Sequence, residues 1–571
     1  MRNICRQTLI YMFLPTTKEE IQKLSWDKPD IILISGDTYI DSPFIGTAVI
    51  GNWLTAHGFK VAVIAQPDIN NDDIARLGEP SLFWGVSAGA MDSFVSNYTS
   101  LNKFRNGDDL TPGEINGKRP DRACMVYTNL IRKHFKNTKP IVLGGVEASL
   151  RRIVHYDFKD NALRRSILFD AKADILIYGM GEQASLDLSN ALRDNKDWRN
   201  IKGICYVSKE HAENSFEIPS YEECAGEKDK FFEAFTSFYK NETAKEPEVL
   251  YQKHAERYFV QNPRQPVLTT EKLDAIYDLD YTREVHPYYA KLGKVKAQDT
   301  IKFSITTHRG CFGECNFCSI AVHQGKEVVS RSEKSVLAEA EKITKLKDFK
   351  GYITDLGGPT ANMYAAKCRT DKNAGGCENK RCLFPETCKN LIPGHNKQLE
   401  LLEKVSRLER VKKVFISSGI RYDMICADPA NGQNYLDNLA EKHISGQMKI
   451  APEHADDKVL ALMGKPKSDL LKQFVNMFEK SARSSRSKLF LTYYFIAAYP
   501  GCGDGEMFNL QRFIGRNLKI NPEQVQIFTP TPSTAATMMY CCEKDLSGNK
   551  LFVEKDRNNK QKQKRIILNA R

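Results

Sequence analysis

The sequence predicts an α/β protein in two parts, a doubly wound N-terminal domain followed by a partial (β/α)6 TIM-like barrel. Three observations carry this expectation. Short apolar, β-rich runs alternate with helix-length segments, the rhythm of a parallel sheet. That rhythm occurs twice, with a polar stretch between the two occurrences. At 571 residues the chain is also too long for one compact core, so more than one domain is expected.

Residues 1–28 read as an N-terminal extension. The first patterned section opens with the apolar run Ile31–Ser35, followed by Gly36-Asp37 and a helix-like stretch through Leu54 that ends at Gly58. A second run, Val61–Ala65, follows, and further runs stand at Phe83–Val86, Ile141–Leu143 and Ile175–Tyr178. These define the doubly wound domain, residues 29–215. Residues 216–295 are rich in Lys and Glu and show no strand rhythm. Phe231, Phe232, Phe235, Phe238 and Tyr239 recur there at helical spacing, which reads as a helical connector.

From residue 296 the alternation returns and continues to 540. The expected strands are Ile301–Thr306, Tyr352–Leu356, Lys413–Ser418, Gln447–Ala451, Leu489–Ala498 and Gln524–Thr529. A helix is expected after Ser332, a good N-cap, with Val336, Ala340 and Ile343 as its apolar stripe. Six units rather than eight imply an open barrel, and such folds carry their chemistry on loops at the C-terminal strand ends. Residues 541–571 are Lys-, Gln- and Asn-rich and read as a disordered basic tail.

No window is apolar and long enough to cross a bilayer. Leu9–Leu14 is too short and lacks a small-residue cleavage site after it, so the cytoplasm is the expected address. Fifteen cysteines in that reducing compartment point to free thiols or metal ligands rather than disulfides. The formal charge is +12, but Val553–Arg571 alone supplies +5 of it. The rest is dilute, and the case for a nucleic-acid partner is weak.

The chemistry concentrates in Thr307-His308-Arg309-Gly310-Cys311-Phe-Gly-Glu-Cys315-Asn-Phe-Cys318, directly after the first barrel strand. Three thiolates in eight residues can wrap one metal centre, and soft sulfur suits iron–sulfur clusters and zinc. Gly310 and Gly313 allow the tight fold that brings them together. A closed site wants four ligands. Three leave one metal position open to something else, and an open position implies chemistry.

This Cys-x3-Cys-x2-Cys spacing, with an aromatic residue before the last cysteine, resembles the signature of the radical S-adenosylmethionine (SAM) enzymes. The likeness extends to Asp355-Leu-Gly-Gly-Pro-Thr-Ala-Asn-Met-Tyr364, Ser418-Gly-Ile-Arg-Tyr-Asp423, Lys449-Ile-Ala-Pro-Glu-His454 and Tyr494-Phe-Ile-Ala-Ala-Tyr-Pro-Gly501. Ser35-Gly-Asp-Thr-Tyr-Ile-Asp-Ser-Pro-Phe-Ile-Gly46, Ala56-His-Gly-Phe59 and Leu143-Gly-Gly-Val-Glu-Ala-Ser149 fit the same pattern. Together these motifs, spanning roughly residues 30–545, resemble the YgiQ-type radical SAM proteins. The resemblance implies a cobalamin-binding-like N-terminal domain and a radical SAM barrel. It implies a 4Fe-4S cluster on Cys311, Cys315 and Cys318, and reductive cleavage of SAM to a 5′-deoxyadenosyl radical. By position, Gly357 and Gly358 correspond to the glycine-rich turn that approaches the amino group of SAM. A low-potential donor such as a flavodoxin or ferredoxin would supply the electron. The resemblance does not name a substrate.

Other residues compete for roles. Cys368, Cys377, Cys382 and Cys388 fall within 21 residues, where chance would place about 0.6. Gly375, Gly376 and Pro385 make this a loop, able to bind zinc or a second cluster, or simply to carry free thiols. In Asp41-Ser-Pro43-Phe-Ile-Gly46 a proline stands where the cobalamin motif it resembles has histidine, so a domain that kept the fold without the cofactor is the favoured reading. Glu453 and His454 follow the fourth strand and are candidates for positioning substrate or moving a proton. His308 and Arg309 are candidates for tuning the cluster or capping its loop. The competing function is a non-catalytic, metal-stapled nucleic-acid-binding module.

Overall fold

The computed structural model describes residues 13–211, 215–370, 373–485 and 488–568. The chain forms two compact units, Met1–Pro266 with Leu279–Lys302, and Val267–Asp278 with Phe303–Arg571. Most of the Leu9–Leu14 run lies outside the described residues. Among the described residues no helix is long and apolar enough to cross a membrane.

The first unit is built on one nine-stranded sheet. Its parallel part runs Val61–Ala65, Ile31–Ser35, Phe83–Ser87, Ile141–Gly144 and Ile175–Ile177 in spatial order. Every residue of Ile31–Ser35 and Val61–Ala65 is buried, as expected of parallel strands covered on both faces. Helix Gly46–Ala56 packs on Glu182–Arg193, and Ala123–His134 packs on Ile167–Ala171. The strand order doubles back between Ile31–Ser35 and Phe83–Ser87, so that neighbouring pair marks the switch point where such sheets bind ligands.

The reading of 216–295 as purely helical needs correction. Helix Lys228–Thr243 is present, with Phe231, Phe235 and Phe238 on its buried side. Yet Phe216–Ile218, Leu250–His254 and Arg257–Gln261 are strands that complete the sheet through Ile204–Ser208. Leu250–His254 and Arg257–Gln261 form a hairpin that turns at Ala255, which adopts φ +51°. Its strands contain Tyr-Gln-Lys-His and Arg-Tyr-Phe-Val-Gln, a polar alternation that hides β-structure from an eye tuned to apolar runs.

The second unit contains all six expected barrel strands. Ser304–Thr306 pairs with Asp355–Gly357, and Tyr352–Ile353 with Lys413–Val414, all parallel. An isolated parallel bridge links Ile420 to Ile450, and Gln447–Glu453, Phe490–Ala497 and Gln524–Ile527 then pair in chain order. Among the described residues no pairing joins the last strand to the first, so the barrel is partial. Ser332 caps helix Glu333–Thr344, and Val336, Ala340 and Ile343 are buried on it. Helix Thr270–Tyr277, from within the polar stretch, packs against this helix.

The tail also differs from the expectation. Arg557–Leu568 is a helix, and Lys560, Gln563 and Ile567 are its buried positions. It packs on helix Asp504–Phe513. The Gln563 side chain accepts from the Ala498 amide at 3.0 Å and donates to the Cys502 carbonyl at 3.3 Å. A helix seated by one isoleucine and hydrogen-bonding polar side chains carries almost no apolar signal in its sequence.

Candidate metal centre

The cysteine loop leaves the first barrel strand and is pinned along its length. Thr307 anchors it by donating from its amide and hydroxyl to the Gly357 carbonyl, at 2.7 and 2.9 Å. Gly310 turns the chain at φ +83°, and a Cβ there would lie 2.0 Å from the Glu327 carbonyl oxygen, so only glycine fits. The Cys311 amide donates to the Gly325 carbonyl at 3.2 Å, and the Cys318 amide to the Cys315 carbonyl at 2.9 Å. Phe312 is fully buried between the first two cysteines and anchors the loop in apolar surroundings.

Cys311, Cys315 and Cys318 are free and partly exposed. Burial pushes the Cys318 thiol up to about 12, and the neighbouring thiols of Cys315 and Cys311 add to the rise. Burial, then Cys315, raises Cys311 in the same way. The three sulfurs therefore share one electrostatic environment. Bare, Cys311 and Cys318 hold their protons; a bound metal cation would displace them. Among the described residues no three His, Cys, Asp or Glu side chains converge on a single-ion point.

Two polar groups on the loops after the second and third barrel strands reach these thiols. The Arg421 guanidinium donates to Cys315 Sγ at 3.4 Å. Its Nε and Nη2 are held by the Asp423 carboxylate, the former at 2.8 Å. Thr360 Oγ1 stands 3.6 Å from Cys311 Sγ. A Cβ on Gly313 would fall 2.8 Å from Arg421 Nη1 and 3.4 Å from Cys311 Sγ, so this glycine admits the arginine to the loop. N–H groups directed at sulfur stabilise the thiolates of an iron–sulfur cluster and tune its potential. The donor set fits the group: three soft ligands, a guanidinium on sulfur, and no fourth thiol in the loop.

Gly357 and Gly358 lie at the end of the second barrel strand, as their placement after it predicts. The Gly357 carbonyl is already taken by Thr307. A Cβ on Gly358 would lie 2.5 Å from the His308 ring, so the turn packs face to face with the residue that precedes the cysteine loop. His308 is buried, held near a pKa of about 4 by that burial, and Nδ1 meets Thr307 Oγ1 at 2.9 Å. Arg309 donates to the Tyr277 hydroxyl at 3.1 Å and stacks over its ring. These contacts give both residues positions in the frame of the loop.

Glu453 ends the fourth strand with φ +68° and is buried, which raises its carboxyl pKa against the opposing fields of Lys465 and Arg421. His454 Nδ1 accepts from the Asp456 amide at 3.0 Å and Nε2 stands 3.6 Å from Cys502 Sγ, so its ring nitrogens are engaged within the fold. The structure thus separates the pair: Glu453 faces the charges around Cys315, and His454 has a local partner on each nitrogen. Sequence reasoning quoted Arg421 and Thr360 inside motifs but gave neither a role. The Arg-x-Asp pairing of Arg421 with Asp423 was the available signal, since an arginine is buried only when paired.

In the first unit, the Asp41 carboxylate accepts from Asn52 at 2.8 Å and from the Thr282 amide at 2.7 Å, while Pro43 offers no imidazole. At the switch point the two loops touch: a Cβ on Gly36 would meet the Ala88 carbonyl at 2.2 Å. Asp37 and Asp108 pair there with the fully buried Arg119 at 2.6 and 3.0 Å. Pro43 leaves cobalt no imidazole ligand at that position of the motif.

Comparison with known proteins places these features. A family model described as Radical SAM N-terminal matches residues 13–304. A UPF0313 protein of Fusobacterium nucleatum is 54% identical over 562 residues, covering 98% of this chain and 99% of its own. A UPF0313 protein of Thermotoga maritima is 47% identical over 568 residues, covering 98% of each. Among solved structures, the radical SAM methyltransferase TsrM from Kitasatospora setae, with cobalamin and a [4Fe-4S] cluster bound, aligns at TM-score 0.50 and 13% identity over 90% of this chain and 78% of its own. The cobalamin-dependent radical SAM enzyme OxsB, with aqua-cobalamin bound, aligns at TM-score 0.50 and 12% identity over 93% of this chain and 58% of its own. At these identities the two structures speak for the fold alone.

Proposed function

Because the chain belongs to the UPF0313 family of radical SAM enzymes, we propose that it cleaves SAM reductively at a 4Fe-4S cluster held by Cys311, Cys315 and Cys318. One observation carries the reading: three free thiols share one loop at the mouth of a partial barrel, with Arg421 donating to the middle sulfur. When bound, the cluster supplies one low-potential electron to the sulfonium of SAM, breaking a carbon–sulfur bond to give methionine and a 5′-deoxyadenosyl radical that takes hydrogen from substrate.

The chain's own residues do the positioning. Gly310 and Gly313 shape the loop so that the thiols face one region. Arg421 and Thr360 contact Cys315 and Cys311, and Asp423 fixes the guanidinium. Gly358 lets the turn after the second strand close onto His308 without a side chain between them, which supports its assignment to the SAM side of the mouth. For Gly357 the contribution is different: its carbonyl ties the first two strands together. A flavodoxin or ferredoxin is the electron donor in this reading, and the cytoplasm its compartment. Cobalamin, which TsrM and OxsB hold, is left out of this reading because Pro43 stands where the motif has histidine.

Protein purified and reconstituted without oxygen tests the proposal. With dithionite it should convert SAM to 5′-deoxyadenosine, and Cys315→Ala should lose cluster and product together. A zinc-only protein that forms no 5′-deoxyadenosine would establish the metal-stapled binding module instead.

A further inference from the structure

The long loop between the second and third barrel strands is absorbed by nothing above, and the pair of strands at its base presents a basic outer face. We propose that this pair, Lys367–Cys368 with Leu391–Ile392, is the docking surface for an acidic one-electron donor protein that reduces the cluster; the inference rests on the cluster chemistry proposed above. Printed side by side in the fold, its residues meet as follows. Lys367 stands opposite Ile392, and Cys368 opposite Leu391. The Arg369 amide donates to the Asn390 carbonyl at 2.9 Å, which continues the pairing and sets Arg369 next to the Lys389–Asn390 step. Successive residues of a strand point to opposite faces, and here the two faces differ. Inward, Leu391 is buried in an apolar cluster with Phe312, against which Cys311 and Cys388 pack. Outward, Lys367, Arg369 and Lys389 are exposed, and Ile392 is 42% exposed. The paired strands are thus a layer between the cysteine loop and solvent.

The layer is fixed to the cysteine loop at three further points. The Val328 amide donates to the Ala374 carbonyl at 3.0 Å, and the Lys326 ammonium to the Cys377 carbonyl at 2.7 Å. Arg381 donates to the side-chain oxygen of Asn316, between the second and third cysteines, at 2.8 Å. A protein seated on the outer face is therefore held in a constant position relative to the thiols, as electron transfer requires.

The charge of that face is uncompensated. Residues 367–392 hold six basic and three acidic residues, a net positive segment. Among the described residues no acidic side chain forms an ion pair with Lys367, Arg369 or Lys389. On the following helix, His395–Ser406, Lys397 and Lys404 are instead paired with Glu400 and Glu333. Unpaired cations around an exposed isoleucine reproduce the plan of a protein–protein contact, an apolar centre within a polar rim. The sign of the rim selects a partner that is acidic around its redox centre and speeds their encounter. On docking, one electron passes to the oxidised cluster: the donor is oxidised by one electron, the cluster reduced by one, and no bond forms or breaks.

The test reads binding first. Full-length reconstituted protein is immobilised without oxygen and titrated with an acidic flavodoxin by surface plasmon resonance. Affinity should fall as KCl is added, and Lys367→Glu, Arg369→Glu and Lys389→Glu together should weaken it by about tenfold or more. Lys209→Glu, Lys240→Glu and Lys253→Glu together make the same change of charge at exposed positions of the first unit and should leave it unchanged. No binding by the wild type, unchanged affinity in the first triple variant, or equal losses in both overturns the proposal. Should the first variant not fold by circular dichroism, the corresponding triple change to Gln must weaken binding in its place, and unchanged affinity overturns the proposal equally. Formation of 5′-deoxyadenosine separates this inference from the SAM reading. The first variant should match the wild type with dithionite and fall behind it with reduced flavodoxin. A wild type that makes no product with either reductant defeats the SAM reading, and the binding measurements then decide the docking surface by themselves.

Discussion

Arg421 reaches Cys315 across the barrel mouth, its Nη1 3.4 Å from the sulfur, and Asp423 grips the other side of the same guanidinium. Arg421 is 8% exposed and Asp423 is fully buried, so the charge on each is tolerated only because of the other. This one contact links the third-strand motif to the cysteine loop and gives the metal site a fixed cation.

Removing either partner should therefore be costly in stability before any chemistry is considered. Arg421→Ala strands a buried carboxylate and should lower stability by about 3–5 kcal/mol. The double variant with Asp423→Ala should recover part of that loss. Urea denaturation of all three proteins, without metal, measures it. Equal losses in the single and double variants would show that the pairing is not what holds the pair in place.

Gly310 offers a sharper test of the loop. Alanine there meets both a left-handed φ and a carbonyl oxygen at 2.0 Å. The first penalty alone is about 1–2 kcal/mol, and relieving the second requires the segment before Cys311 to move. Gly310→Ala should lose most of its reconstituted iron while keeping a native circular dichroism spectrum. Full iron loading would mean that the loop tolerates displacement and that its tight geometry is not needed to gather the thiols.

How much of this was legible beforehand follows from what sequence signals measure. The six barrel strands were readable because each is a short apolar or alternating run set between helix-length segments. Cys311, Cys315 and Cys318 were readable because ligand spacing is a local property. The hairpin through Ala255 was missed because its strands alternate polar and aromatic residues. Arg421 was missed as a neighbour of Cys315 because their contact joins positions 106 residues apart, and only the closed barrel brings them together. Pairing of His454 with Cys502 was invisible for the same reason.

His254 predicts a pH dependence in the first unit. Its ring is stacked between Phe169, 4.4 Å away, and Tyr221, 5.7 Å away, and neither nitrogen has a hydrogen-bond partner. Burial, then the charge of Arg165, lowers its pKa to about 3. The folded state thus excludes a proton that the unfolded chain takes up near pH 6.5, and stability is lost as pH falls below that value. His254→Phe removes this share. Wild type and variant should be similar at pH 8 and diverge by roughly 2 kcal/mol in favour of the variant at pH 5. Denaturation curves that stay parallel across that range would mean that the histidine is protonated in the fold.

The closed switch point makes its own prediction. Arg119 is fully buried between Asp37 and Asp108, and the Gly36 and Ala88 backbones touch beside them. Pro43, standing where the motif has histidine, leaves cobalt without that ligand. Full-length protein incubated with hydroxocobalamin and passed through a desalting column should retain none, as read from visible absorption. Retention of one equivalent per chain would bring cobalamin into the proposed reaction.

Ile567 tests the C-terminal helix. A solvated tail would be indifferent to its side chain, yet here it is fully buried, one helical turn beyond Gln563, which bonds to the Ala498 backbone. Truncation to alanine deletes buried methyl groups and leaves a cavity against the barrel's last helices, a change that costs about 2–5 kcal/mol in well-packed sites. Ile567→Ala should therefore shift the urea midpoint measurably, and Arg565→Ala on the exposed side of the same turn should not. If the two variants unfold alike, the segment contributes nothing to the barrel and its basic residues act as a free arm after all.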